Sequence, residues 1–315
     1  MTDAQDRSRI LALIGVPLLL LGLGCAVLGP VEMHCFYLFS DGGPFHYEGF
    51  GFGSFMFGNI TWQIVGYYLV AILCIPLGYA HLKTRRWART VALTLLYSWL
   101  VLGVPLICVF LFILFSSKDL SPVVALFAIV LMSLSYLLLP GLLIRFYQSR
   151  DVRWTFETRD PSSYWIERQP LPVLVLSTLL IFYTIVLHVP IFFRGMFPLF
   201  GTWLSGMEGI VVITVSILSL AWLTWGVLRR RAWAWWGSLV YVALLAFSSV
   251  LTLALSSLDE ILAILSFPPT EMEAFQSVPL QGIHFVPLIG LPLLLTVGVI
   301  ILAKQHFGQI RLALL

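Results

Sequence analysis

The chain has 315 residues, 60% of them hydrophobic and only 10% charged, where soluble domains run at roughly 45–50% and about 25%. With a mean hydropathy of +0.97, its apolar surface exceeds what a core of this size can hide. That excludes a water-soluble globule, a disordered chain and a nucleic-acid-binding domain, and the small net charge of +3 makes the placement of the charges more informative than their sum.

A bilayer core of about 30 Å needs roughly 20 apolar residues per helix. Eight such runs occur, over about 10–29, 60–82, 90–115, 121–145, 172–193, 207–228, 234–255 and 283–303. They are continuously apolar and too long for barrel strands, so the expected fold is an all-α, polytopic membrane bundle of eight transmembrane helices.

The first run lacks a small-x-small cleavage site and reads as a retained anchor rather than a signal peptide. Its Leu21-Gly22-Leu23-Gly24-Cys25 stretch has Gly22 where a lipobox carries Leu or Val, so helix packing is the preferred reading. Segment 30–59 then holds His34, Cys35, His46 and Glu48, followed by alternating glycines and aromatics from Gly49 to Gly58. Gly49-x-Gly51-x-Gly53 has no lysine and no preceding soluble strand, so a nucleotide cradle is rejected in favour of close backbone approach.

After the second run come Lys83, Arg85, Arg86 and Arg89, with His81 read as an ordinary flanking residue. Ser121-Pro122 has N-cap and N1 character for the fourth run. Segment 146–170 mixes Arg150, Asp151, Arg153, Glu157, Arg159, Asp160, Glu167 and Arg168 with aromatics. It is expected to continue the fourth helix along the interface until Asp160-Pro161 turns it, as a salt-bridged connector or, alternatively, a contact for partners or anionic headgroups.

His188 ends the fifth run, Trp203 lies in the short segment 194–206, and Ser205 with Glu208 has capping-box spacing for the sixth. Segment 256–282 opens on Ser257 and Glu260, another capping box. Leu258, Ile261, Leu262 and Leu265 follow at helical spacing before Pro268-Pro269, so an amphipathic surface helix is expected. Gly22, Gly24, Gly66, Thr214 and Ser216 are the candidate small residues for packing.

All 18 Lys and Arg except Lys118 and Arg194 fall on the side of the two termini, while most acids fall opposite. The positive-inside rule then predicts a cell-membrane protein with both termini cytoplasmic. The chain divides into a first four-helix half (1–145, with outer loop 30–59), a cytoplasmic connector (146–170) and a second half (171–315, with outer segment 256–282). Arg85-Arg86-Trp87-Ala88 is echoed by Arg230-Arg231-Ala232-Trp233-Ala234, a weak self-similarity that a parallel four-plus-four repeat would produce. The preferred explanation is that any cytoplasmic edge collects such residues.

No HExxH, GxSxG or P-loop motif occurs, and no carboxylate sits in mid-span. No catalytic residue and no metal set is assigned, and no cofactor is named. The candidate ligand-binding residues are His34, His46, Glu48, Phe50, Phe52, His188 and Trp203, all expected on the outer face. The expected function is that of a non-enzymatic membrane subunit, scaffold or lipid- or cofactor-binding component. A permease for a neutral or apolar solute and an outer-face lipid-modifying enzyme are the alternatives. Membrane lipids and other membrane subunits are the expected partners, with no nucleic acid.

Overall fold

A computed structural model describes residues 4–116, 121–276 and 282–308. Lys118, Asp119 and Arg311 lie outside the described residues, as do the side chains of Cys108 and His284. The fold is all-α apart from one short hairpin, and eight helices are long and apolar enough to cross a membrane.

Helix α1 spans Ser8–Phe39 and α2 spans Phe55–Leu82. Both exceed the expected runs. Pro30 sits inside α1 without ending it, because membrane helices tolerate such breaks where neighbours re-satisfy the backbone. Cys35, expected just outside the membrane run, is therefore helical. Helix α2 starts early because the Ser54 hydroxyl accepts the Phe57 amide at 3.2 Å.

Gly15, Gly22 and Gly29, seven residues apart, form the ridge on which α1 meets α2. A Cβ added at Gly15 would lie 2.9 Å from the Gly78 carbonyl oxygen, and one at Gly22 2.8 Å from the Ile75 nitrogen. In lipid, where burying apolar surface drives little association, such close backbone approach is what holds helices together. Of the small residues picked from the sequence, Gly22 and Ser216 are buried. Gly24 and Gly66 face open space and Thr214 is exposed. The missed partner, Gly78, lies against Leu19 and Gly15.

Helix α3 (Trp87–Ser116) adjoins two apolar cores. One is built from α1, α2, α3, α5 (Leu139–Gln148) and α6 (Arg150–Arg159). The other joins α7 (Leu171–Val186), α9 (Gly206–Leu228), α10 (Ala232–Leu255) and α13 (Gly282–Ala303). In the second, Trp235 Nε1 donates to the Ile300 carbonyl at 2.7 Å and Tyr183 shares a 2.7 Å hydrogen bond with Thr296. The fourth span joins α4 (Pro122–Ser133) to α5 through a π turn at Leu134–Leu138. Pro140 follows at once, and a wider turn there accommodates the backbone bond that proline cannot make. Ser121 caps α4 as its sequence indicates, accepting the Val124 amide at 3.3 Å.

Segment 146–170 departs from the expected continuous interfacial helix. The backbone turns extended at Ser149, which caps a separate α6. Val152 and Phe156 bury completely in the first core. The acids of this segment then meet nearby arginines. Arg86 bridges Glu167 at 2.7 Å, Arg153 bridges Glu157 at 2.9 Å, and Arg85 approaches Asp160 at 3.9 Å. Burial works against the Asp160 charge, yet hydrogen bonds from the Arg86 amide, Tyr164 and Ser162 keep its carboxyl below the usual range. His81 is also more than a flanking residue. It is fully buried, donating from Nδ1 to the Leu77 carbonyl at 2.7 Å and accepting the Tyr147 hydroxyl at Nε2 at 2.5 Å.

The chain's first described residues are pinned to α6. Arg7 bridges Asp151 at 3.0 Å and Arg159 bridges Asp6 at 2.6 Å. The Arg159 hydrogen bond, then that of the Ser8 amide, lowers the Asp6 carboxyl to about 2. Asp151 is lowered by Arg7 and then by the Gln5 amide. A depressed carboxylate stabilises the fold above its unfolded value, near about 4, and loses that contribution as pH falls through its folded value. Amide-exchange protection of residues 4–9 should thus hold steady from neutral pH to about 5 and fall between about 4 and about 2. Protection unchanged at the acid end would show that these pairs do not tether the segment.

Candidate functional site

Opposite the basic end, three chain segments meet in a layer of aromatic rings. The first, residues 40–54, contains Gly49, Gly51 and Gly53 at φ +91°, +156° and +98°. These conformations are open to glycine and strained for other residues. The alternating glycines therefore make a folded strap, and Gly49 lies against Pro268, 3.0 Å from where a Cβ would stand. The second segment is α8 (Val189–Phe192) with Phe193. The third comprises α11 (Leu258–Leu265) and α12 (Pro269–Gln276). The first of these is the short amphipathic helix expected before Pro268-Pro269, and α12 follows it as a further helix. Ser257 caps the first, accepting the Glu260 amide at 3.1 Å, and Ser266 ends it in a left-handed conformation.

Phe50 packs on Phe39 and Tyr47, each 5.8 Å between ring centres, and on Phe57 at 6.0 Å. Phe52 reaches Phe192 at 5.9 Å. Phe55 touches Phe275 at 5.1 Å and Phe267 at 6.1 Å, and Phe193 meets Phe267 at 6.0 Å. Tilted and edge-on ring pairs of this kind contribute about 0.5–1.5 kcal/mol each beyond area burial.

Glu271 joins these parts. Its carboxylate accepts the Tyr47 hydroxyl at 2.5 Å, the Phe55 amide at 2.7 Å and the Met56 amide at 3.0 Å. The last two are donors at the start of α2, where a helix leaves amides unsatisfied and favours negative charge. Burial, and then the bond to Glu271, pushes the Tyr47 phenol well above its usual value.

The segment 194–206 forms a hairpin of β1 (Phe197–Leu199) and β2 (Thr202–Leu204), pairing Phe197 with Leu204. It lies on one face of α10, where Ser248, Thr252 and Ser256 recur every four residues. Ser248 accepts the Phe200 amide at 2.9 Å, Thr252 accepts the Gly201 amide at 2.9 Å, and Ser256 accepts Trp203 Nε1 at 2.7 Å. The expected Ser205 cap of α9 does not form. Ser205 is extended and makes no capping bond, and the Gly206 amide donates to the Arg194 carbonyl at 2.6 Å.

The residues picked from the sequence fare unequally. Phe50 and Phe52 belong to the ring layer. Trp203 is committed to Ser256. His34 is exposed and stacks on Tyr37 at 5.4 Å, His46 is exposed and lies 3.3 Å from Asp41, and Glu48 is exposed. His188, just past the end of α7, donates from Nδ1 to carbonyls of that helix, at 2.9 Å to Thr184. Among the described residues, no three His, Cys, Asp or Glu side chains gather as a metal ion would require. Sequence reasoning missed Glu271 and the Ser248–Thr252–Ser256 ladder. The ladder had a visible signal in hydroxyls spaced four apart on an apolar helix; Glu271 had none.

Comparison with protein-family models, curated proteins and solved structures returns no match.

Proposed function

We propose that this chain is a non-enzymatic component of a cell membrane, a subunit, scaffold or lipid- or cofactor-binding protein whose recognition surface is its aromatic end. In this reading the aromatic end is extracytoplasmic and both termini are cytoplasmic, following the basic residues. The two apolar cores are read as the two halves of a four-plus-four arrangement.

The observation that carries the reading is the ring layer drawn from three separate segments and tied by Glu271. Phe45 and Phe52 remain 62% and 66% exposed at its surface. Phe45 packs on Phe39 at 6.0 Å and Phe52 on Phe57 at 6.3 Å, so both carry the layer to the surface, and exposed apolar side chains there support an interaction site. The local partners of His34, His46 and His188 favour binding over acid–base chemistry, which needs such groups within hydrogen-bond reach of one substrate.

Purification from membranes in mild detergent tests this. The wild type should retain a membrane partner or a bound lipid or cofactor that Phe45→Ser with Phe52→Ser releases. A chain that carries neither in any mild detergent, or whose companion is untouched by the double variant, would refute the reading. A reporter on the C-terminus that matures outside the cell would overturn the orientation.

A further inference from the structure

At the basic end, the α9–α10 turn consists of Arg229, Arg230 and Arg231. Among the described residues Arg7, Arg85, Arg86, Arg153 and Arg159 form ion pairs with acids, whereas these three form none. Directly above the turn, the facing sides of α9 and α10 leave a groove of about 640 Å³. It is shallow and open, its walls mostly apolar, from Leu218, Trp222 and Leu223 on one helix and Val240 and Leu244 on the other, with Ser219 and Tyr241 as the polar members.

The groove and the charges are physically continuous. Trp222 lines the groove and stacks on Trp225 at 5.1 Å and on Trp233 at 5.8 Å. The Arg229 guanidinium sits 4.5 Å above the Trp225 ring. Leu223 and Leu218 precede Arg229 by six and eleven residues, about 9 and 16 Å along a helix rising 1.5 Å per residue. A bilayer leaflet is about 15 Å of hydrocarbon, so the groove lies at acyl-chain depth while the arginines lie at phosphate depth. Arginine forks suit phosphate oxygens, and tryptophans at this level suit the boundary between chain and headgroup.

We propose that the α9–α10 groove binds an anionic phospholipid, with one acyl chain between Trp222 and Val240 and the headgroup phosphate held by Arg229, Arg230 and Arg231. The charge complement selects such a lipid over a neutral one, and the apolar groove selects it over a soluble phosphate. This site lies at the opposite end from the aromatic layer and stands independently of the function proposed for it.

The test uses the full chain in phosphatidylcholine vesicles with increasing phosphatidylglycerol, followed by native mass spectrometry of the protein with its retained lipid. Wild type should retain phosphatidylglycerol over phosphatidylcholine by about tenfold or more. R229Q/R230Q/R231Q should abolish that preference. Val240→Trp, which fills the groove and leaves the arginines in place, should abolish retention of phosphatidylglycerol. Arg229, Arg231 and Val240 are exposed and Arg230 is half-buried, and a thermal melt matching wild type confirms folding. The proposal is overturned if the triple variant keeps the preference or if Val240→Trp retains the lipid like wild type. Displacement by glycerol phosphate as readily as by phosphatidylglycerol, or a disulfide between two copies of Leu244→Cys, would also overturn it.

Discussion

Replacing Gly78 by leucine should unseat α1 from α2 and lower stability by about 3 kcal/mol, the upper part of the range for overpacking. A Cβ at this position would lie 2.5 Å from the Leu19 nitrogen and 2.8 Å from the Gly15 carbonyl oxygen. Both obstacles are backbone, so no rotamer change relieves them and the helices must separate. The separation would also strip Gly22 of its contact with Ile75, because one ridge carries both. Unfolding in detergent monitored by tryptophan fluorescence gives the measurement. Gly24→Ala and Gly66→Ala are the controls. Both face open space, so they should be neutral or stabilising by up to about 1 kcal/mol, the helix preference for alanine. If Gly78→Leu melts with the wild type, the glycine ridge is not what joins the two helices.

Removing the Glu271 carboxylate should release the strap and the start of α2 together. Glu271→Ala leaves the Phe55 and Met56 amides and the Tyr47 hydroxyl without their acceptor. Hydrogen bonds to charged groups contribute about 1.5–3 kcal/mol each, but water reaches this partly open site, so a total of about 2–4 kcal/mol is expected. Glu271→Gln retains one acceptor oxygen and should lose about half as much. Hydrogen exchange should show the effect as faster exchange over residues 47–58, with α9 and α10 unchanged. Uniform acceleration along the chain would mean that Glu271 supports the whole bundle, and no acceleration would mean that the ring contacts alone hold the strap.

These two residues mark where the sequence is legible and where it is not. Gly22 was identifiable as a packing residue because small residues in apolar runs pack helices, but Gly24 has the same composition and faces nothing. The ridge at Gly15, Gly22 and Gly29 becomes visible only once α2 supplies a partner face. Glu271 reads as a solvated acid in a proline-rich stretch, since its partners Tyr47, Phe55 and Met56 precede it by more than 200 residues. His81 likewise reads as one more flanking residue until Tyr147, 66 positions away, closes over it. Ser257 and Ser121 were recognisable as caps because their acceptor role is local. Ser205 had the same local pattern, yet its side chain makes no capping bond.

Hydrophobicity acts on each segment separately, so the sequence by itself determined the class, the eight membrane-length helices and the caps at Ser121 and Ser257. Interactions that depend on which faces meet were decided only by the tertiary structure. The break at Ser149, the hairpin on the Ser248–Thr252–Ser256 ladder, the gathering of rings around Glu271 and the groove above Arg229 all belong to that group. In lipid, packing selects neighbours by close fit and by hydrogen-bond complementarity, and both are properties of pairs of segments.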